Sequence, residues 1–123
     1  MTGSAQHIAG HSVYILDSDG PAIGSERDAT DLISEAAGTD AQMIAIPTAR
    51  LDPSFLDLST RMAGLFVEKL QTYGWRLAFL GDISDHLNRS GALTDWVREV
   101  NKGRSPWFVA DRSELSAKLE AEG

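Results

Sequence analysis

The sequence predicts a single small α/β domain with a mostly parallel sheet of four to five strands and four helices. First, short apolar runs alternate with stretches of helical spacing, which is typical of βα units joined by right-handed crossovers. Second, residues 42–46 and 76–80 are apolar at most positions, as expected for strands that helices cover. Third, a length of 123 residues, 42% of them hydrophobic, suits one core. We therefore expect one domain over residues 12–123, with strands adjacent in chain order.

The N-terminal segment predicts a tail followed by a hairpin. Residues 1–11 mix small and polar types, so we interpret them as a flexible tail. Residues 12–16 predict a strand that ends at Asp17-Ser18-Asp19-Gly20, and residues 21–23 are expected to pair back on it as a short antiparallel strand. The same four residues spell the D-x-D-G of haloacid-dehalogenase-type phosphatases, in which an aspartate attacks phosphorus, but a tight turn explains them without further residues.

The other elements follow from caps, periodicity and apolar runs. Ser25, Ser90 and Asp111 precede stretches with apolar residues at helical spacing and are expected to cap helices. The helix in the middle of the chain has an ambiguous start, and we expect an irregular first turn between residues 55 and 60. The predicted order is helix 26–37, strand 42–46, a helix within 52–73, strand 76–80, a helix between Ser90 and Gly103, strand 107–110 and a terminal helix.

The acidic, cysteine-free composition excludes several classes of protein. A formal net charge of −7 argues against sequence-independent binding of nucleic acid, and the lack of cysteine excludes disulfides and cysteine-based metal sites. We find neither an apolar stretch of about 20 residues, which a membrane span needs, nor the pattern of a signal peptide. We therefore expect a cytoplasmic protein that uses no cofactor or metal. Its expected partner is a protein or a small polar ligand, and we also consider a homodimer.

Four residues near the start of the second predicted helix form the candidate binding surface: Asp57, Ser59, Thr60 and Arg61. Ligands of open α/β sheets gather at the carboxyl ends of the strands, and this segment should lie at that edge. Arg61 could bind an anion beside free N–H groups of the helix, although a salt bridge to Asp57 is at least as favourable. Asp57 and Ser59 could also simply cap the helix.

His86 and Asp82 are the candidate catalytic residues. His86 could act as a general base with Asp82 or Asp85 beside it, or it could be a solvated loop residue. Asp57, Asp82 and Asp111 could together bind a hard divalent cation through carboxylate oxygens, or each could hold its own helix or turn.

A series of motifs covers the second half of the chain. They are FLDLSTRMAG at 55–64, EK at 68–69, Tyr73, LA at 77–78, GD at 81–82, EVNKG at 99–103 and WFV at 107–109. The series resembles the bacterial family catalogued as domain of unknown function 4180, whose pattern runs roughly F-F-D-L-x-T-G-x-A-G, Q-K, N-Y, L-A-x-x-G-D, E-S-N-R-G and F-F-V. Arg61 stands where that pattern has glycine, and Glu68, Thr72, Val100 and Lys102 also depart from it. The resemblance implies no activity, because none is assigned to the family.

The predicted element order also resembles the STAS domain, the anti-sigma-factor-antagonist module, in which a phosphorylatable serine lies at the start of the second helix. Ser59 or Thr60 falls near that point, although the D-S-x-G motif of regulated members is absent. We therefore predict a STAS-like regulatory or protein-interaction module that binds through the start of its second helix. The alternative is a small enzyme of bacterial specialised metabolism that acts on a polar or anionic substrate at the carboxyl edge of the sheet. A third interpretation is an accessory subunit with an exposed apolar patch around Trp96.

Overall fold

The computed structural model of the chain describes residues 3–122, which form an α/β fold with one five-stranded sheet and five helices. The strands lie in chain order, as predicted, with the first pair antiparallel and the others parallel. The strands are β1 (Gly3–Ile8), β2 (His11–Leu16), β3 (Met43–Pro47), β4 (Arg76–Leu80) and β5 (Trp107–Val109). The helices are α1 (Glu26–Ala37), α2 (Met62–Thr72), α3 (Ser84–Arg89), α4 (Gly91–Val100) and α5 (Arg112–Ala121). None of these helices is long and apolar enough to cross a membrane.

Two apolar cores lie on opposite faces of the sheet. Successive side chains of a strand point to opposite faces, so Ile44 and Ile46 pack on one face while Met43 and Ala45 pack on the other. The larger core includes buried residues of α1, α2 and α4, and α5 contributes the helical side of the smaller core. Burial of the first four residues of β3 between these layers explains its continuous apolar sequence.

The N-terminal segment is a strand from residue 3 onward, and the prediction of a flexible tail over residues 1–11 is therefore wrong for residues 3–11. Residues 3–8 form β1, which pairs with β2 one residue to one along its whole length, and residues 1–2 lie outside the described part of the chain. Ala9 and Gly10 form the turn, with φ values of 50° and 82°, the positive values that a two-residue hairpin loop requires. Small polar residues carry little strand signal, so only pairing with β2 decides this element.

The segment after β2 also differs from its prediction. Ile23 forms no antiparallel pair with β2, and instead makes an isolated parallel bridge with Leu51. The N–H of Ile23 donates to the carbonyl of Arg50 at 2.7 Å, and the N–H of Asp52 donates to the carbonyl of Ile23 at 2.9 Å. The antiparallel partner of β2 is β1, which leaves residues 17–22 free to form a loop at the carboxyl edge.

Most helix starts follow the predicted capping. Ser25 accepts from the N–H of Asp28 at 3.1 Å, and the Asp28 carboxylate accepts in return from the N–H of Ser25 at 3.0 Å, which is a complete capping box. Ser90 and Asp111 cap α4 and α5 as expected. The chain before α2 contains a 3-10 turn over Leu58–Thr60, in agreement with the expected irregular start. The additional helix α3 was not predicted.

Asn101 closes the outer edge of β5. Its side-chain amide donates to the carbonyl of Phe108 at 3.1 Å and accepts from the N–H of Phe108 at 2.7 Å. It therefore takes the place of a neighbouring strand for the backbone of Phe108, whose ring stacks on Phe79 at 4.7 Å.

Candidate functional site

The start of α2 is a rigid turn held by its own side chains. Oδ1 of Asp57 accepts from the N–H of Ser59 at 3.0 Å and from its hydroxyl at 2.6 Å. These bonds hold the pKa of Asp57 below its ordinary value, because they stabilise the carboxylate. The Thr60 hydroxyl donates to the carbonyl of Asp57 at 2.8 Å and accepts from the N–H of Met62 at 3.2 Å. Ser59 and Thr60 are nevertheless exposed.

Arg61 joins this turn to α2 in a left-handed conformation, with φ 62° and ψ 7°. A side chain in that region costs roughly 1–2 kcal/mol, and glycine avoids the cost. The guanidinium is exposed and takes part in none of the salt bridges formed by residues 3–122. The salt bridge to Asp57 considered from the sequence does not form, since that carboxylate is bound by Ser59. Arg61 is therefore held in a strained conformation with its charge free.

A groove of about 260 Å³ opens beside Arg61, between α2 and α4. Polar and apolar groups share its walls about equally. Arg61 and Glu68 supply charged groups, and the other lining residues are Leu58, Ala63, Gly64, Leu65 and Trp96. Leu65 is 36% exposed, which is high for a leucine on a helix that also supplies core residues. Trp96 packs edge-on against Phe108 at 5.5 Å and presents another part of its ring to the groove, so it serves the core and the surface together.

The candidate catalytic residues lie in a second depression of about 270 Å³, at the carboxyl ends of β3 and β4. Asp82 and His86 both line it, together with Asp52. Oδ1 of Asp82 accepts from the N–H of Ser84 at 2.9 Å and from its hydroxyl at 2.6 Å, and these bonds lower the pKa of Asp82. The side-chain contact of His86 is to Arg89, at 3.4 Å from Nδ1. The structure therefore brings His86 and Asp82 into one depression without a hydrogen bond between them.

The three aspartates considered for a cation do not converge. Asp57 and Asp82 each bind the serine two residues later, and Asp111 accepts from the N–H of Glu114 at 2.9 Å at the start of α5. Among residues 3–122, no group of three or more His, Cys, Asp or Glu side chains could hold a metal ion. Asp57 caps the 3-10 turn and Asp111 caps α5, whereas Asp82 holds the turn before α3. Each therefore has a local role in a helix start or a turn, which was the alternative interpretation.

Arg50 is the residue at this edge that sequence reasoning missed. It is only 1% exposed, yet it binds backbone carbonyls and no carboxylate: Pro21 at 3.1 Å, Asp17 at 3.0 Å and Asp19 at 3.3 Å. A Cβ on Gly20 would lie 2.6 Å from its Cζ atom, so only glycine allows the loop to close over the guanidinium. The D-x-D-G sequence thus forms the loop that encloses the Arg50 side chain. Since the partners are about 30 residues away in the chain, no local pattern could have indicated it.

The fold and these two depressions define the class of protein: a small α/β domain with successive βα units, an exposed groove at its second helix and polar strand ends held by local caps. The chain belongs to the family described as Domain of unknown function (DUF4180), which it matches over residues 8–119. This confirms the resemblance found in the motifs and extends it to the end of β1. No curated protein and no solved structure matches the chain.

Proposed function

We propose that this protein is a STAS-like protein-interaction module, and that the groove between α2 and α4, with Arg61 at its mouth, binds a partner protein. The single observation that carries the proposal is the left-handed backbone of Arg61. A strained conformation persists only where the surrounding structure holds it, and such residues concentrate at functional sites. The family pattern has glycine at this position, which would adopt the left-handed conformation without strain. The presence of arginine here therefore favours a role for its side chain.

The chemistry of the groove indicates what the partner must present. Leu65 and Trp96 offer apolar surface, and the free guanidinium of Arg61 lies at the rim. Aromatic and arginine side chains are the groups that most often dominate protein interfaces. We therefore expect a partner segment with an apolar side chain that enters the groove and a carboxylate that pairs with Arg61.

The topology supports the comparison with STAS domains. An antiparallel pair is followed by βα units in chain order, and two exposed hydroxyls stand at the start of the second long helix. A phosphate on Ser59 would face the Asp57 carboxylate, to which the Ser59 hydroxyl now donates at 2.6 Å. Since like charges repel, the modification would open the turn and displace Arg61, and would thereby weaken binding. The expected location is the cytoplasm, where a cysteine-free chain is at no disadvantage.

Site-specific photo-crosslinking tests the proposal. A crosslinking amino acid at Leu65 should capture a defined protein in the cells that express the chain, whereas the same group at Tyr73, which is 60% exposed near the end of α2, should not. The captured protein is then purified, and its affinity should fall about tenfold or more with Arg61→Glu or Leu65→Glu but not with Tyr73→Ala. Equal affinity for all variants would reject the groove as the binding site.

The small enzyme is the second candidate, and the observation that favours it is the shared depression of Asp82 and His86. General base catalysis needs these groups within hydrogen-bond reach of a substrate, with the imidazole oriented by a partner. Here the Asp82 oxygen is bound by Ser84, and the contact of His86 is a guanidinium, which does not help it accept a proton. We therefore rank binding first. A reaction abolished by His86→Ala and unaffected by Arg61→Glu would reverse the order.

A further inference from the structure

The two edges of the sheet differ in how they are protected. At β5 the strand has only three residues, and the Asn101 side chain occupies the outward N–H and carbonyl of Phe108. Short edge strands and blocked edge groups are devices that prevent further strand pairing. The edge at β5 is therefore closed to another strand.

The edge at β1 has none of these devices. It is six residues long, pairs with β2 without a bulge, and contains no Asp, Glu, Lys, Arg or Pro. Ser4, Ala5 and His7 are exposed along it. Because the whole chain carries a net charge of −7, two copies repel each other least where both surfaces lack charged side chains. β1 itself carries no charged side chain, and a charged side chain that contacts it is a cation: the Arg112 guanidinium donates to Oε1 of Gln6 at 2.7 Å. A strand without negative charge on an acidic protein therefore favours a second copy over much of the remaining surface.

The hairpin determines which backbone groups point outward. The two-residue turn at Ala9 and Gly10 makes Ile8 and His11 a hydrogen-bonded pair, and hydrogen-bonded pairs alternate with non-bonded ones along an antiparallel ladder. His7, Ala5 and Gly3 are thus in non-bonded positions toward β2, and their N–H and carbonyl groups face the open edge. An identical strand can bond to them in the antiparallel direction with Ala5 opposite Ala5 on a two-fold axis and Gly3 opposite His7. The small side chains at Gly3 and Ala5 leave room for this approach.

We propose that two copies of this chain pair through β1, antiparallel and centred on Ala5, so that their sheets join into one. The inference is independent of the proposed partner groove, since α4 packs on β5 at the other end of the sheet. Both surfaces can therefore be occupied at once.

The absence of cysteine makes the arrangement testable by disulfide trapping. In the proposed pairing the two Ala5 Cα atoms lie about 5.5 Å apart, within the range of about 4.4–6.8 Å that a disulfide spans. Ser4→Cys is the matched control, because Ser4 lies opposite Gln6 and its own counterpart is about 8 Å away. Under mild oxidation Ala5→Cys should form a covalent dimer and Ser4→Cys should not.

Light scattering on the unmodified chain provides the second measurement. The wild-type mass should be twice 13.3 kDa, and Ala5→Lys, which adds a charge at the axis, should give the monomer mass with an unchanged circular dichroism spectrum. A wild-type protein that stays monomeric at high concentration, a dimer that persists in Ala5→Lys, or equal crosslinking of Ala5→Cys and Ser4→Cys would each overturn the proposal. If Ala5→Lys fails to fold, the comparison of the two cysteine variants still decides it.

Discussion

Replacement of Arg61 by glycine should stabilise the protein while it removes the proposed binding contact. The left-handed conformation at Arg61 costs roughly 1–2 kcal/mol for a residue with a Cβ atom. Glycine avoids that cost but loses about 0.5–1 kcal/mol more in conformational entropy on folding. Within residues 3–122 the guanidinium makes no hydrogen bond or salt bridge whose loss would offset this gain in stability. The net expectation is an increase of about 0.5–1 kcal/mol in the free energy of unfolding.

Urea and thermal unfolding, followed by tryptophan fluorescence, measure this change. For a chain of this size the gain corresponds to a rise of about 2–5 °C in the midpoint of thermal unfolding. Arg61→Ala is the matched control, because it removes the same guanidinium but keeps a Cβ atom in the left-handed region. We expect no stabilisation from alanine, and both variants should lose affinity for the partner.

Two results would refute this reasoning. If Arg61→Gly is no more stable than the wild type, the backbone at this position is not strained. If Arg61→Ala gains as much as Arg61→Gly, the gain comes from removal of the guanidinium and not from relief of the backbone. Either outcome would remove the main support for a functional role of Arg61.

Three further predictions concern the β5 edge, the loop after β2 and the first helix. Asn101→Ala should lower the free energy of unfolding in urea by about 2–4 kcal/mol, because it removes both side-chain hydrogen bonds to the β5 backbone. The control Lys102→Ala removes only an exposed ion pair and should change this free energy by less than about 0.5 kcal/mol. Equal effects of the two substitutions would contradict the edge-closing role of Asn101. Gly20→Ala should lower the free energy of unfolding, measured in urea, by at least about 2 kcal/mol, because the added Cβ atom would lie 2.6 Å from Arg50 and the φ of Gly20 is 147°. The loss should be smaller in a protein that also carries Arg50→Met. Strictly additive effects of the two substitutions would argue against the clash. Asp28 is partly desolvated by burial, which raises its pKa, but the hydrogen bonds from two backbone N–H groups outweigh this, so its pKa in the folded protein is lowered. Because the folded pKa lies below the unfolded one, Asp28 stabilises the protein above about pH 4 and this contribution disappears as the pH falls through the folded value. Asp28→Asn should therefore flatten the acid side of the stability profile, and an unchanged slope between wild type and variant would count against the capping box.

Much of the fold could be predicted because local signals and burial agree. The apolar runs of β3 and β4 reflect strands that are covered on both faces, and such a run has few alternatives. The Ser25 cap of α1 and the Asp111 cap of α5 join residues within four positions of each other, so both partners of each contact lie in one short stretch of sequence. The order of β2 to β5 followed from the regular alternation of strands and helices.

The candidate site could be predicted only in part. Asp57, Ser59, Thr60 and Arg61 do lie together at the start of α2, but the carboxylate binds Ser59 and leaves Arg61 free. The groove beside Arg61 depends on Trp96, which lies on another helix. Nothing in the local sequence indicates that the two meet, since their distance is decided by the packing of α2 and α4.

The sequence alone determined the α/β class, the central strands, the capped helices and the family of this protein. Only the tertiary structure decided three other features: β1 is a strand, Arg50 is enclosed by the loop after β2, and Asn101 closes the β5 edge. The physical reason is the same in each case. Small polar strands, buried guanidinium groups and edge-blocking amides gain their stability from hydrogen-bond partners that lie elsewhere in the fold, and those partners are present only once the sheet has formed.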